Sequence, residues 1–164
     1  MNKHSNVNAY LPVTAFDIRG ANNERVKLEI TEVYEFPQIT SVYGGYDIKC
    51  RLQIDSDVYR LRTDDYYSAT GMLWTFFKGL SKCYSELNGK CSFDGDCEGK
   101  DLSFDVDFAQ GRVVVCGKYQ NDRMRKNILE FEFCSDQSYF ASVLTDLRKV
   151  VDMFGDNRGL KDRA

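Results

Sequence analysis

The order of apolar and polar residues in this chain follows two periods in turn. From Arg25 to Phe36, Val26, Leu28, Ile30, Tyr34 and Phe36 hold even positions, interrupted at Glu32, and a period of two predicts a half-buried strand. After Pro37 and the loop QITSVYGG the alternation is cleaner, with Tyr46, Ile48, Cys50, Leu52 and Ile54 set against Asp47, Lys49, Arg51, Gln53 and Asp55. Asp55-Ser56-Asp57 has turn residues whose side chains bond their own backbone, so VYRLRT is expected to return as the second arm of a hairpin.

From Asp65 the spacing becomes three and four. Tyr66, Ala69, Thr70, Leu73, Phe76, Phe77, Leu80, Cys83, Tyr84 and Leu87 predict a helix over about 65–88, with capping candidates at Thr63 to Asp65 and a stop at Asn88-Gly89. Gly71 and Gly79 inside it each cost about 1 kcal/mol relative to alanine, and so are expected to mark close backbone packing against a sheet. Residues 89–100, GKCSFDGDCEGK, read as an acidic, solvated turn. Next, Leu102, Phe104, Val106 and Phe108 alternate with Ser103, Asp105 and Asp107. Val113 to Cys116 read as a strand apolar on both faces, hence central in its sheet, and Leu129, Phe131 and Phe133 alternate with Glu130 and Glu132. Ser135 or Asp136 then caps a last helix over about 136–154, whose Phe140, Val143, Leu144, Leu147, Val150, Val151 and Phe154 form one stripe ended by Gly155.

These elements predict an α+β fold. Strands joined by short turns make a mainly antiparallel, curved sheet of about six to eight strands, with both helices on its dry face. No repeat or long linker divides the chain, so residues 1–12 are expected to be a flexible leader and 13–164 a single domain.

The bulk numbers narrow the function classes. With 164 residues, 43% of them hydrophobic, the chain can bury a core, and a net charge of −3 gives no general attraction to nucleic acid or anionic lipid. The opening MNKHSNVNAYLPV lacks the pattern of a secretory signal, and no apolar run is long enough to span a membrane, so a cytoplasmic location is expected. Six cysteines scattered through predicted strands and a helix fit reduced thiols.

Catalytic chemistry has little to stand on. The only histidine is His4, so no cysteine or serine has the base that nucleophilic catalysis usually needs. Asp105/Asp107 and Glu130/Glu132 are pairs two apart on strand faces, where nothing raises one carboxyl above the other. Cys91 and Cys97, with the acids around them, match neither zinc nor calcium spacing. No catalytic residue, metal or cofactor is assigned. The charge distribution is more informative: Asp94, Asp96, Glu98, Asp101, Asp105 and Asp107 are accompanied only by Lys100. A run of that sign either keeps a strand face soluble or attracts a basic partner.

Several of these segments carry a family pattern. Leu87-Asn88-Gly89 ends the aromatic helix; Gly111, Val113, Val115 and Gly117 form a G-x-V-x-V-x-G strand; Asn127, Leu129, Phe131 and Phe133 follow, and Asp136-Gln137-Ser138-Tyr139-Phe140 opens the last helix. Over residues 45–153 the chain resembles the WapI-type immunity proteins, bacterial antitoxins of polymorphic contact-dependent toxins. The first 40 residues show no feature of that family. The resemblance implies a non-enzymatic protein that binds a cognate toxin, with neither nucleic acid nor membrane as partner, as a monomer or weak homodimer. The expected partner-binding residues are Asp94, Asp96, Asp101, Asp105 and Asp107, with Glu130 and Glu132, standing in for phosphates against a basic nuclease. A rival interface is the loop Ile39 to Tyr46, where Tyr43 and Tyr46 flank Gly44-Gly45 as tyrosine hot spots. The alternative function is small-molecule binding in a pocket lined by Tyr67, Trp74 and Phe77, between the sheet and the aromatic helix.

Overall fold

The computed structural model describes residues 7–97, 99–109 and 111–159. The leader's first six residues, His4 among them, lie outside the described residues. Val7–Tyr10 make a single 3₁₀ turn, from which Val7 and Leu11 pack against the core.

Eight strands follow a simple order. β1 (Val13–Arg19), β2 (Arg25–Val33), β3 (Asp47–Ser56) and β4 (Tyr59–Ala69) form one antiparallel sheet in sequence order; β5 (Gly89–Cys97), β6 (Lys100–Ala109), β7 (Arg112–Gln120) and β8 (Ile128–Ser135) form a second. Helix α1 (Thr70–Glu86) joins the sheets, and α2 (Phe140–Phe154) follows β8. The single sheet expected from the pattern is thus two of four strands, because α1 intervenes where β4 and β5 would otherwise pair. β7 is an inner strand, between β6 and β8.

Local departures have local causes. No strand was legible in VTAFDIR because a bulge between Thr14 and Phe16 turns both Ala15 and Phe16 inward and breaks the period of two. Helix α1 begins at Thr70, not at 65, since Tyr66, Tyr67 and Ser68 are strand residues opposite Cys50, Lys49 and Ile48. Tyr66 and Ala69 imitate a helical spacing only because β4 takes an extra residue at Asp64-Asp65 opposite Arg51. The capping candidates therefore sit inside β4, and Ala69 precedes the helix without a side-chain cap. At the other end Leu87 takes the left-handed conformation, φ 51°, and returns its N–H to Tyr84. The cap on the last helix is Asp136, which accepts the Ser138 N–H at 2.8 Å and opens a 3₁₀ turn, Gln137–Tyr139, before α2.

One core joins both sheets and both helices. Phe16 lies at its centre, edge-on to Phe76 of α1, Phe93 of β5 and Phe104 of β6 at 5.5–5.6 Å. Tyr66 crosses from the first sheet to the second and donates its hydroxyl to the Gly95 carbonyl at 2.8 Å. A Cβ on Gly95 would lie 2.3 Å from that hydroxyl, so only glycine leaves room for the crossing.

The outer face of the first sheet is laced by ion pairs. Arg25 holds Asp17 with two hydrogen bonds of 2.7 Å. Burial by itself would raise the Asp17 carboxyl, but those bonds and the charges of Arg25 and Arg19 hold it below its ordinary 3.8. A depressed carboxyl stabilises the fold fully above pH 3.8, and that stabilisation fades as pH falls through the lower folded value. Asp17→Asn is therefore expected to shift the urea midpoint at neutral pH, with the gap to wild type narrowing in acid. A gap that does not change with pH would contradict the Asp17–Arg25 assignment.

Candidate functional site: an acidic sheet face

The segment 89–97 is a strand, not the solvated turn its glycines and cysteines suggest. Cys91, Phe93, Gly95 and Cys97 point inward, and Ser92, Asp94 and Asp96 point out. Small inward residues hid the alternation. Glu98 lies outside the described residues.

The register then assembles the outer face of the second sheet in four rows. Lys90 stands beside Asp107, Val114 and Cys134; Ser92 beside Asp105, Cys116 and Glu132; Asp94 beside Ser103, Lys118 and Glu130; Asp96 beside Asp101, Gln120 and Ile128. All seven predicted acidic residues, Asp94, Asp96, Asp101, Asp105, Asp107, Glu130 and Glu132, share this face. Asp101 and Asp105 are half-buried and the other five exposed. Ser92, Ser103, Lys90 and Lys118, which the sequence reading did not single out, complete the rows, and their spacing of two from the acids was the available signal.

The face is concave. Its middle two rows line a groove of about 740 Å³, floored by the backbone at Phe93, Phe104, Gly117 and Phe131. Gly117 permits the curvature: a Cβ there would lie 2.4 Å from the Phe104 Cβ. Countercharge is sparse. Lys90 reaches Asp105 at 3.6 Å, Lys118 reaches Asp101 at 3.8 Å, and Arg123 pairs with Asp96. Asp101 also keeps one carboxylate oxygen buried with no hydrogen-bond partner among the described residues. By contrast, the outer face of the first sheet mixes Arg19, Arg25, Lys27, Arg51 and Arg62 with Asp17, Glu29, Asp55 and Asp64 in ion pairs. The modest net charge thus conceals a strong difference between two faces.

The rival loop adjoins this face at its β5 border. A second hollow, about 390 Å³, is lined by Val42, Tyr43, Gly44 and Met72 together with Ser92 and Asp94 of the acidic face. Tyr43 is partly exposed and Val42 almost wholly so. Tyr46 is a correction: it is fully buried, 4.8 Å edge-on to Phe36, and its N–H donates to the Thr70 hydroxyl at 2.8 Å. The alternation that continues into β3 also points it into the core, so it offers no surface to a partner.

The aromatic pocket imagined beside α1 does not bring its residues together. Tyr67 lines a hollow with Tyr34, Asp47 and Lys100 at the β4 edge, whereas Phe77 lines one between α1 and α2, under Arg148. Four cysteines are buried and two, Cys116 and Cys134, lie on the acidic face. Among the described residues no group of histidine, cysteine and carboxylate side chains could hold a metal, and no helix is long and apolar enough to cross a membrane.

The model of the immunity protein WapI-like family matches residues 17–155. The chain belongs to that family. The match begins within β1 and takes in both sheets and both helices, so β1 and β2, which lie in the first 40 residues where the sequence shows no family feature, are part of the family domain. No curated protein and no solved structure matches the chain. The residues that carry the family pattern do structural work: Val113, Val115, Phe131 and Phe133 are buried, Gly117 lets β6 and β7 approach, and Asp136 caps. Tyr139 is an exception, for it is 43% exposed instead of packed on the sheet.

Proposed function

We propose that this immunity-family protein neutralises a cognate toxin by occluding it with the outer face of the second sheet, without catalysis. The observation that carries the reading is the register that sets seven carboxylates on one concave face against two lysines and Arg123. Such a face raises the association rate of a basic partner and repels acidic ones. The toxin surface is then basic, and a nuclease active site, built to hold phosphates, is the fitting class. Tyr43 and Val42, at the β5 border, add an apolar rim to the charged centre. The protein acts in the cytoplasm, as a monomer or weak homodimer.

The test is charge reversal at two β6 positions whose side chains stand on the outer face and not in the core. Asp105→Lys with Asp107→Lys is expected to weaken binding of the cognate toxin domain by about tenfold or more, and to flatten its dependence on salt. Binding and salt dependence both equal to wild type would sink the proposal. The small-molecule alternative is left with the hollow at Tyr34, Tyr67 and Lys100, which shares no lining residue with the acidic groove.

A further inference from the structure

Each sheet has two edges, and three of the four are guarded. β1 is bulged and runs along α2; β5 runs along α1; β4 carries the extra residue at Asp64-Asp65. Bulges and covering helices are common means of preventing an edge from pairing with another chain. β8 has neither. It stays in unbroken register with β7 from Gln120↔Ile128 to Val113↔Ser135, and contains no proline and no inward charge.

A single bond sets the phase of this edge. The Ala21 N–H, in the β1–β2 turn, donates to the Cys134 carbonyl at 2.9 Å, so the peptide groups of Cys134 point away from β7. In a regular antiparallel strand this orientation recurs at every second residue. Ile128, Glu130 and Glu132 therefore also present their N–H and C=O to the open side. Those groups have no hydrogen bond among the described residues, and all three residues are exposed.

We propose that β8 receives an extended segment of a partner protein as a fifth, antiparallel strand of the second sheet, with basic residues at alternate positions. The inference rests on the acidic-face reading and specifies how the partner engages it. The side chains of Glu130 and Glu132 stand on the acidic face, so lysine or arginine in the added strand would pair beside them, and its other residues would continue the apolar row of Phe131 and Phe133. A second copy of β8 is a poor occupant, since it would set glutamates against glutamates.

The test uses a short synthetic peptide that alternates lysine and valine, and a copy N-methylated at its lysines. In antiparallel pairing the residues opposite Glu130 and Glu132 bond through their own N–H, so methylation removes the bonds and keeps the charge. The methylated copy is expected to bind at least about tenfold more weakly. Glu130→Pro, which removes an outward N–H without breaking the β7 ladder, is expected to lose a similar factor with its melting temperature retained, and to lose more than Glu130→Gln. Should Glu130→Pro fail to fold, the peptide pair on the unaltered protein decides. Equal binding of the two peptides, or no binding of either, overturns strand addition. Equal binding that salt abolishes leaves the acidic-face reading intact; a methylation effect without sensitivity of toxin binding to Asp105 and Asp107 reversal sinks that reading and not this one.

Discussion

Phe16→Ala is expected to lower stability by about 3–5 kcal/mol, the range for aromatic truncation in a core that cannot collapse onto the gap. Phe16 is fully exluded from solvent and touches three other rings, one from a helix and two from the opposite sheet. Its loss removes buried area and three edge-to-face contacts, each of them worth about 0.5–1.5 kcal/mol beyond area. The neighbours cannot close the space easily, because Phe93 and Phe104 are stacked on each other at 5.5 Å and anchored in adjacent strands. For a domain of this length, the melting temperature should fall by about 6–20 °C. Circular dichroism on heating measures it. Phe16→Leu, which keeps most of the volume, should recover much of the loss. A fall of only a degree or two in Phe16→Ala would mean that the two sheets do not share this core.

Gly45→Ala should be nearly as damaging, for a different reason. Gly45 has φ +65°, and a Cβ there would stand 2.1 Å from the Thr70 hydroxyl and 2.6 Å from the Gly71 nitrogen. Both contacts are with the first turn of α1, whose Gly71 N–H donates to the Gly44 carbonyl at 3.1 Å, while the Gly45 N–H donates to the carbonyl of Asn157, beyond α2, at 2.7 Å. The left-handed backbone and the collision add, at about 1–3 kcal/mol each. Gly99 has φ +77° with nothing within 4 Å of a built Cβ, so Gly99→Ala meets only the backbone term. Parallel urea titrations of the two variants separate strain from collision, and equal midpoints would refute the clamp. Because the same loop carries Tyr43 and Val42 to the border of the acidic face, Gly45→Ala is also expected to disturb that rim.

The clamp explains Gly71 better than the sequence could. Within a helical pattern, a glycine signals close packing, and close packing is what the structure has: a Cβ on Gly71 would lie 2.5 Å from the Gly44 carbonyl carbon. The neighbour is a loop and not a sheet. Nothing in the order of residues near position 71 names a partner nearly thirty positions away. Gly79 is closer to the expectation, its built Cβ being 3.2 Å from Cys91 in β5.

The candidate face was legible in part. That Asp105 and Asp107, or Glu130 and Glu132, share a side of their own strands follows from alternation and needs no structure. That the two sets lie on the same face as Asp94 and Asp96 depends on pairing between strands, and the sequence reading placed Asp94 and Asp96 in a turn. Tyr46 failed as a surface residue because aromatic character beside a glycine pair is compatible with both a hot spot and a core position. Burial against Phe36 and Phe154 decides between them.

Local order along the chain determined the periods, and with them the α+β class, the faces of most strands, the cap at Asp136 and the acidic sign of one stretch. These depend on bonds and contacts within a few residues, where the chain's own geometry sets what each side chain meets. Tertiary structure alone decided that eight strands divide into two sheets, that seven carboxylates share one face, four of them lining its groove, that Phe16 ties the layers together and that β8 keeps an unguarded edge. Those outcomes turn on which distant segments come to lie side by side, a choice made by the packing of the whole core and by no single segment's pattern.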